Sequence, residues 1–192
     1  FDWGDTLAPA QIVEMSDCGG GYCRKFHEET WPVLREEFIA TGKVRWKFLP
    51  FVSGMFDNSL AATEAAECAL AQGPDAFLAL NERLWDGQRA WKSTGDPLPV
   101  VREMAEAAGV DVEAWEACME EDRRVQRIGT ATAVARDLGI RGTPTFLIQG
   151  YPPVQGALPT ETFVEILDRV HAVAARPAAE GGGGGPDGGG GG

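Results

Sequence analysis

A chain of 192 residues, 44% hydrophobic and with a formal net charge of −12, has apolar material for a buried core but not the basic face that a nucleic-acid partner requires. No run of 18 apolar residues occurs, so no segment is expected to cross a membrane, and two histidines beside four cysteines argue against a Cys/His zinc site. The chain opens at FDWGDTLAPA with neither a Met nor a signal-peptide pattern, as a trimmed or mature form does.

In chain order, AQIVEM (residues 10–15) reads as a short strand closed by Ser16-Asp17 and a glycine cluster. Tyr22, Phe26, Val33, Leu34 and Phe38 then recur at helical spacing. Pro32 should kink or split that helix, and Gly42 should end it. KVRWKFLPFV (43–52) alternates Val44, Trp46 and Phe48, a second strand, which gives a βαβ unit. The next stretch, about residues 57–139, carries helical patterns only, with Pro97 and Asp111 as start signals and Gly73, Gly109 and Gly139 as stops. Strand character returns in TPTFLIQG (143–150) and, after Tyr151-Pro152-Pro153, in PVQG. TETFVEILDRVHAVAA closes the order as an amphipathic helix, with Thr160 as its expected cap and Glu161 in its first turn. Residues 1–176 are therefore expected to form one domain with a helical insertion. The glycine-rich residues 177–192 have no side chains to pack and are expected to be a flexible tail.

SDCGGGYCRKF (16–26) places Cys18 and Cys23 at the head of the first helix, spaced C-x₄-C around three glycines. Three glycines before a helix also suit an anion, yet neither the Walker nor the dinucleotide spacing is met. QIVEMSD, YCRKFHEETWPVLREEF and GIRGTPTFLIQG together resemble the DsbA-like branch of the thioredoxin-fold proteins over nearly all of residues 4–175. The resemblance implies an α/β thioredoxin fold. It implies thiol–disulfide exchange on cysteine-containing polypeptides outside the cytoplasm, in a periplasm or cell envelope, with a redox partner protein and no cofactor. It also implies that Thr143-Pro144 is a cis bond beside the cysteines that aligns substrate backbone; the plain alternative is a turn before a strand. Cys23 falls on the family's resolving cysteine and Tyr22 on the residue before it, at the substrate-facing rim. The nucleophilic cysteine should stand at residue 20, which is Gly, and Gly21 stands where the family usually has Pro. Cys18 occupies a place usually held by an aromatic.

Exchange needs one thiolate to attack and a second thiol to resolve the mixed disulfide. Orphan N–H groups at a helix start favour a thiolate, and residue 20 has that location without a sulfur. Two readings stay open for Cys18. The glycines, free to adopt positive φ, could turn the loop so that Cys18 replaces the nucleophile, or Cys18 is a small buried residue in the aromatic slot. A redox-inactive peptide-binding module and a monothiol using Cys23 alone stand as alternatives for the whole chain. Cys68 and Cys118 are either buried free thiols or, as in some relatives, a structural disulfide whose roughly 50-residue loop is worth about 4 kcal/mol. His27, four residues after Cys23, could tune that thiol, and Glu14 and Asp17 could accept its proton. A solvated role is the commoner one for all three.

Overall fold

The computed structural model describes residues 1–175, so the glycine-rich segment expected to be a tail lies outside the described residues. The elements run β1 (Asp2–Trp3), β2 (Ala10–Ser16), α1 (Gly21–Glu29), α2 (Trp31–Leu34), a π-helical turn (Arg35–Ile39) and β3 (Val44–Pro50). Six helices follow: α3 (Ser59–Leu70), α4 (Pro74–Asp86), α5 (Gln88–Lys92), α6 (Leu98–Ala107), α7 (Val112–Glu120) and α8 (Val125–Asp137). The chain then returns to β4 (Thr145–Ile148), β5 (Val154–Gln155) and α9 (Thr160–Ala174).

The strands form one sheet in the order β1-β3-β2-β4-β5. β2 and β3 are parallel, with Ile12 opposite Trp46, while β4 is antiparallel to β2, with Met15 opposite Thr145. Alternation in β3 buries Val44, Trp46 and Phe48 and exposes Lys47, as a strand covered mainly on one face requires. That face meets α1, α2 and α9 through Phe26, Trp31, Leu34, Phe163 and Leu167, all buried against Ile12, Trp46 and Phe146. β1 is two residues long, too short for alternation to announce it, and pairs antiparallel to β3.

The first helix splits at Thr30, and Pro32 lies in the first turn of the second piece, where its missing N–H removes only a bond to the exposed Glu28. Gly42 adopts φ +72°, and the bonds Gly42 N to Ile39 O and Lys43 N to Phe38 O close the end. Asp111 caps α7, its Oδ1 accepting from Ala114 N at 3.1 Å. One expectation is corrected: the cap position of α9 is Pro159, with no side-chain cap. Thr160 is its first residue, and its Oγ1 lies 3.0 Å from Thr30 Oγ1, tying α9 to the end of α1.

The helical block has its own core. Ala62, Ala65, Ala66 and Ala69 of α3 are buried, small enough to let Phe77, Leu80, Leu84 and Trp115 close over them. Cys68 and Cys118 are joined, with Cα atoms 5.8 Å apart, which links α3 to α7. Cys18, Cys23 and Phe48 also pack into this core, so the cysteine-bearing loop sits at the seam between sheet and helical block.

Candidate active site

Gly20 precedes α1 with an extended backbone (φ −75°, ψ 126°), and its carbonyl accepts from Arg24 N at 3.0 Å. None of Gly19, Gly20 and Gly21 has positive φ. The expectation that they turn the loop through left-handed backbone to carry Cys18 over the helix end is therefore corrected. What two of them provide is room. A Cβ on Gly19 would collide with Phe56, and one on Gly20 would stand 2.9 Å from Cys23 Sγ, whereas one on Gly21 would meet nothing within 4 Å. Across a disulfide, Cβ and the far sulfur are about 3 Å apart, given an S–S bond near 2.05 Å. Gly20 thus faces the Cys23 sulfur at the distance a bonded cysteine would, and offers no side chain.

Cys23 is fully buried, and burial pushes its thiol up to about 11; hydrogen bonds from the Thr143 side chain, the Asp17 backbone and the Ser16 side chain pull the other way. Cys18 is 2% exposed and is pushed up to about 12, again by burial, against a hydrogen bond from Thr63. Both are free thiols. Tyr22, at the same helix start, is 70% exposed.

Pairing of β4 with β2 brings the Thr143-Pro144 bond, which is cis, to this helix end. Pro144 is buried, its carbonyl accepts from Gly156 N at 2.8 Å, and Thr145 Oγ1 donates to Gly142 O at 2.7 Å. Cys23, Thr143 and Pro144 therefore converge, while Cys18 points to Thr63 on α3. Cys68 and Cys118, bonded to each other, share the buried cluster of the helical block with Cys18 and Cys23 and bring no free thiol to the site.

The solvated reading of Glu14, Asp17 and His27 is corrected, because all three are buried. Glu14 accepts from Ser16 Oγ at 2.5 Å, His27 Nε2 at 2.7 Å and Trp46 Nε1 at 3.0 Å. His27 also stacks on Trp85, centroids 4.6 Å apart. Asp17 accepts from Gly19 N, Ser53 N, Ser53 Oγ and Ser59 Oγ, which locks the start of the loop. Such dense pairing is what lets a carboxylate stay buried.

Sequence reasoning missed the clamp on the loop's other side. Gln88 Nε2 donates to Cys18 O at 2.6 Å and Gly20 O at 3.0 Å, and Lys92 Nζ donates to Gly19 O at 2.5 Å. Three successive carbonyls of the glycine loop are thus held by α5, a five-residue helix too short for periodicity to reveal.

A family model described as thioredoxin matches residues 2–169. The chain is 26% identical over 151 residues to the probable disulfide bond formation protein D of Bacillus cereus, covering 77% of this chain and 68% of that protein. Among solved structures, alpha-DsbA1 of Wolbachia pipientis superposes with a TM-score of 0.79 at 22% identity, covering 90% of this chain and 91% of that one. Oxidised BdbD of Bacillus subtilis gives 0.78 at 19%, covering 89% and 92%. These likenesses carry the DsbA-like thioredoxin fold.

Proposed function

Because the chain belongs to the thioredoxin family, we propose that it is a thiol–disulfide oxidoreductase acting on cysteine-containing polypeptides, with Cys23 as the sulfur that meets the substrate. The observation that carries this reading is Cys23 itself, seated at the start of α1, beside Thr143 and facing the side-chain-free Gly20. In the first step the Cys23 thiolate attacks a substrate disulfide R–S–S–R′, forming Cys23–S–S–R and releasing R′–S⁻, which takes the proton Cys23 gave up. A second thiolate R″–S⁻ then forms R–S–S–R″ and frees Cys23, with no net electron transfer. If Cys18 supplies that second thiolate, the products are a Cys18–Cys23 disulfide and two reduced substrate thiols. Tyr22, exposed beside the site, and the loop at Thr143-Pro144, where Thr143 is half-buried and Pro144 buried, are where the polypeptide would lie. The names of the relatives and the Cys68–Cys118 bond support an extracytoplasmic, oxidising setting. Among the described residues no helix is long and apolar enough to cross a membrane.

A second reading is favoured by the missing sulfur at Gly20 and by two thiols that burial holds above the free range: a polypeptide-binding module without exchange. Refolding of a scrambled disulfide substrate by wild type, Cys18→Ser and Cys23→Ser separates the two. The expected result is activity lost in Cys23→Ser, with a substrate adduct still trapped in Cys18→Ser. Wild type that binds reduced polypeptide yet never forms an adduct establishes the second reading instead.

A further inference from the structure

α1 and α5 face each other across a cavity of about 500 Å³ that reaches Gly21, the neighbour of the residue facing Cys23. Its lining carries four cations, Arg24, Lys25, Arg89 and Lys92, against one carboxylate, Glu28. Arg24 pairs with Glu28 at 2.6 Å, and Lys25 reaches Glu29 at 3.8 Å with both side chains more than half exposed. Lys92 uses one of three donors on Gly19 O and lies over the Phe56 ring at 4.4 Å, which fixes its charge at the cavity rim. Arg89 is exposed. In a chain of net charge −12, this is a local excess of positive charge one residue from Gly20, the buried glycine that faces the Cys23 sulfur.

We infer that the cavity is a carboxylate subsite, and that the thiol partner exchanging at Cys23 is an acidic one whose carboxylate lies among Arg24, Lys25, Arg89 and Lys92 while its sulfur comes over Gly20. The inference rests on Cys23 being the exchanging sulfur. The step is Cys23–SH + R–S–S–R giving Cys23–S–S–R + R–SH, in which the partner disulfide is the oxidant and its leaving sulfur takes the proton. A carboxylate next to a cysteine occurs in a small peptide thiol and in an acidic stretch of a longer polypeptide, and the chemistry recognised is the same.

The test compares rates of Cys23 adduct formation, read by intact mass with Cys23→Ser as control, for glutathione disulfide, a ten-residue disulfide peptide with acidic neighbours, its lysine-flanked counterpart, and cystamine. The net charge of −12 taken alone favours the cationic disulfides. The subsite predicts the reverse: at low salt the acidic ones react roughly tenfold faster, and the preference fades at high salt and in Lys25→Glu/Arg89→Glu. Reaction of glutathione disulfide alone identifies a small thiol partner, and reaction of both acidic reagents admits the polypeptide. S-methylglutathione, which cannot exchange, is titrated in parallel, with the amide resonances of Gly21 and Arg89 as the readout. Shifts without any adduct keep the subsite and overturn exchange at Cys23. Adducts independent of charge, or fastest with the cationic reagents, without shifts overturn the subsite and keep the exchange. Neither adduct nor shift overturns both.

Discussion

Cys18 and Cys23 show what burial does to a thiol. A free cysteine ionises near ~8.5, and these two are pushed up to about 12 and about 11. At pH 7 the thiolate fraction of Cys23 is then about 10⁻⁴. Exchange at Cys23 is expected to quicken about tenfold per pH unit until it levels near 11. Stability follows the opposite course. Unfolding frees both thiols to ionise at the lower value, so their contribution is intact below about pH 8.5 and is lost as pH climbs through 11 and 12. Urea unfolding from pH 7 to 11 should show a decline that steepens above 8.5 in wild type and is shallower in Cys18→Ala. Parallel curves would mean that Cys18 ionises alike in both states.

At the scale of the element, the start of α1 combines unserved N–H groups, a loop whose carbonyls are held by α5, and a residue lacking its sulfur. Gly20→Cys restores C-x-x-C at a backbone conformation, φ −75° and ψ 126°, that suits any residue. The new Cβ stands 2.9 Å from Cys23 Sγ and 3.1 Å from Asp17 O, so the loop has to yield by a few tenths of an ångström at the carbonyl. The variant is expected to oxidise to a disulfide between the introduced thiol and Cys23, with the introduced thiol ionising below the free value at the helix start. Mass loss of two protons after mild oxidation, together with a gain in refolding activity over wild type, checks this. The missing sulfur was legible in the sequence, as were β2 and β3 from their alternation and most helices from their spacing. The burial of Glu14, Asp17 and His27 was not, because it depends on partners such as Trp46, Ser53 and Ser59 that the fold brings from more than thirty residues away. The caps were legible only where the side chain does the capping: Asp111 does, and Thr160, following a proline that holds the cap position, does not. The loop's glycines suggested a turn, but their use is close approach to Phe56 and to a sulfur, neither of which local sequence encodes.

At the scale of the molecule, the cysteine loop belongs to the core of the helical block rather than to the core under the sheet. The Cys68–Cys118 bond links α3 and α7 within the same block, across 50 residues of sequence. Loop closure of that length is worth about 4 kcal/mol. Cys68→Ala/Cys118→Ala is expected to lower the thermal midpoint by roughly 8–16 °C for a domain of this size. It should also make Cys18 and Cys23 reactive toward a thiol reagent before global unfolding, since their walls are the ones released. An equal loss of stability with both thiols still protected would separate the staple from the site.

Gly20 also has a consequence for inheritance. A glycine codon that ends in a pyrimidine becomes a cysteine codon by one base change, and the backbone at this position already suits the new residue. Buried beneath it, Cys23 keeps the sulfur that the restored partner would need. With a codon of that kind, one base change returns the C-x-x-C pair, and what the fold asks in exchange is the small shift at the Asp17 carbonyl.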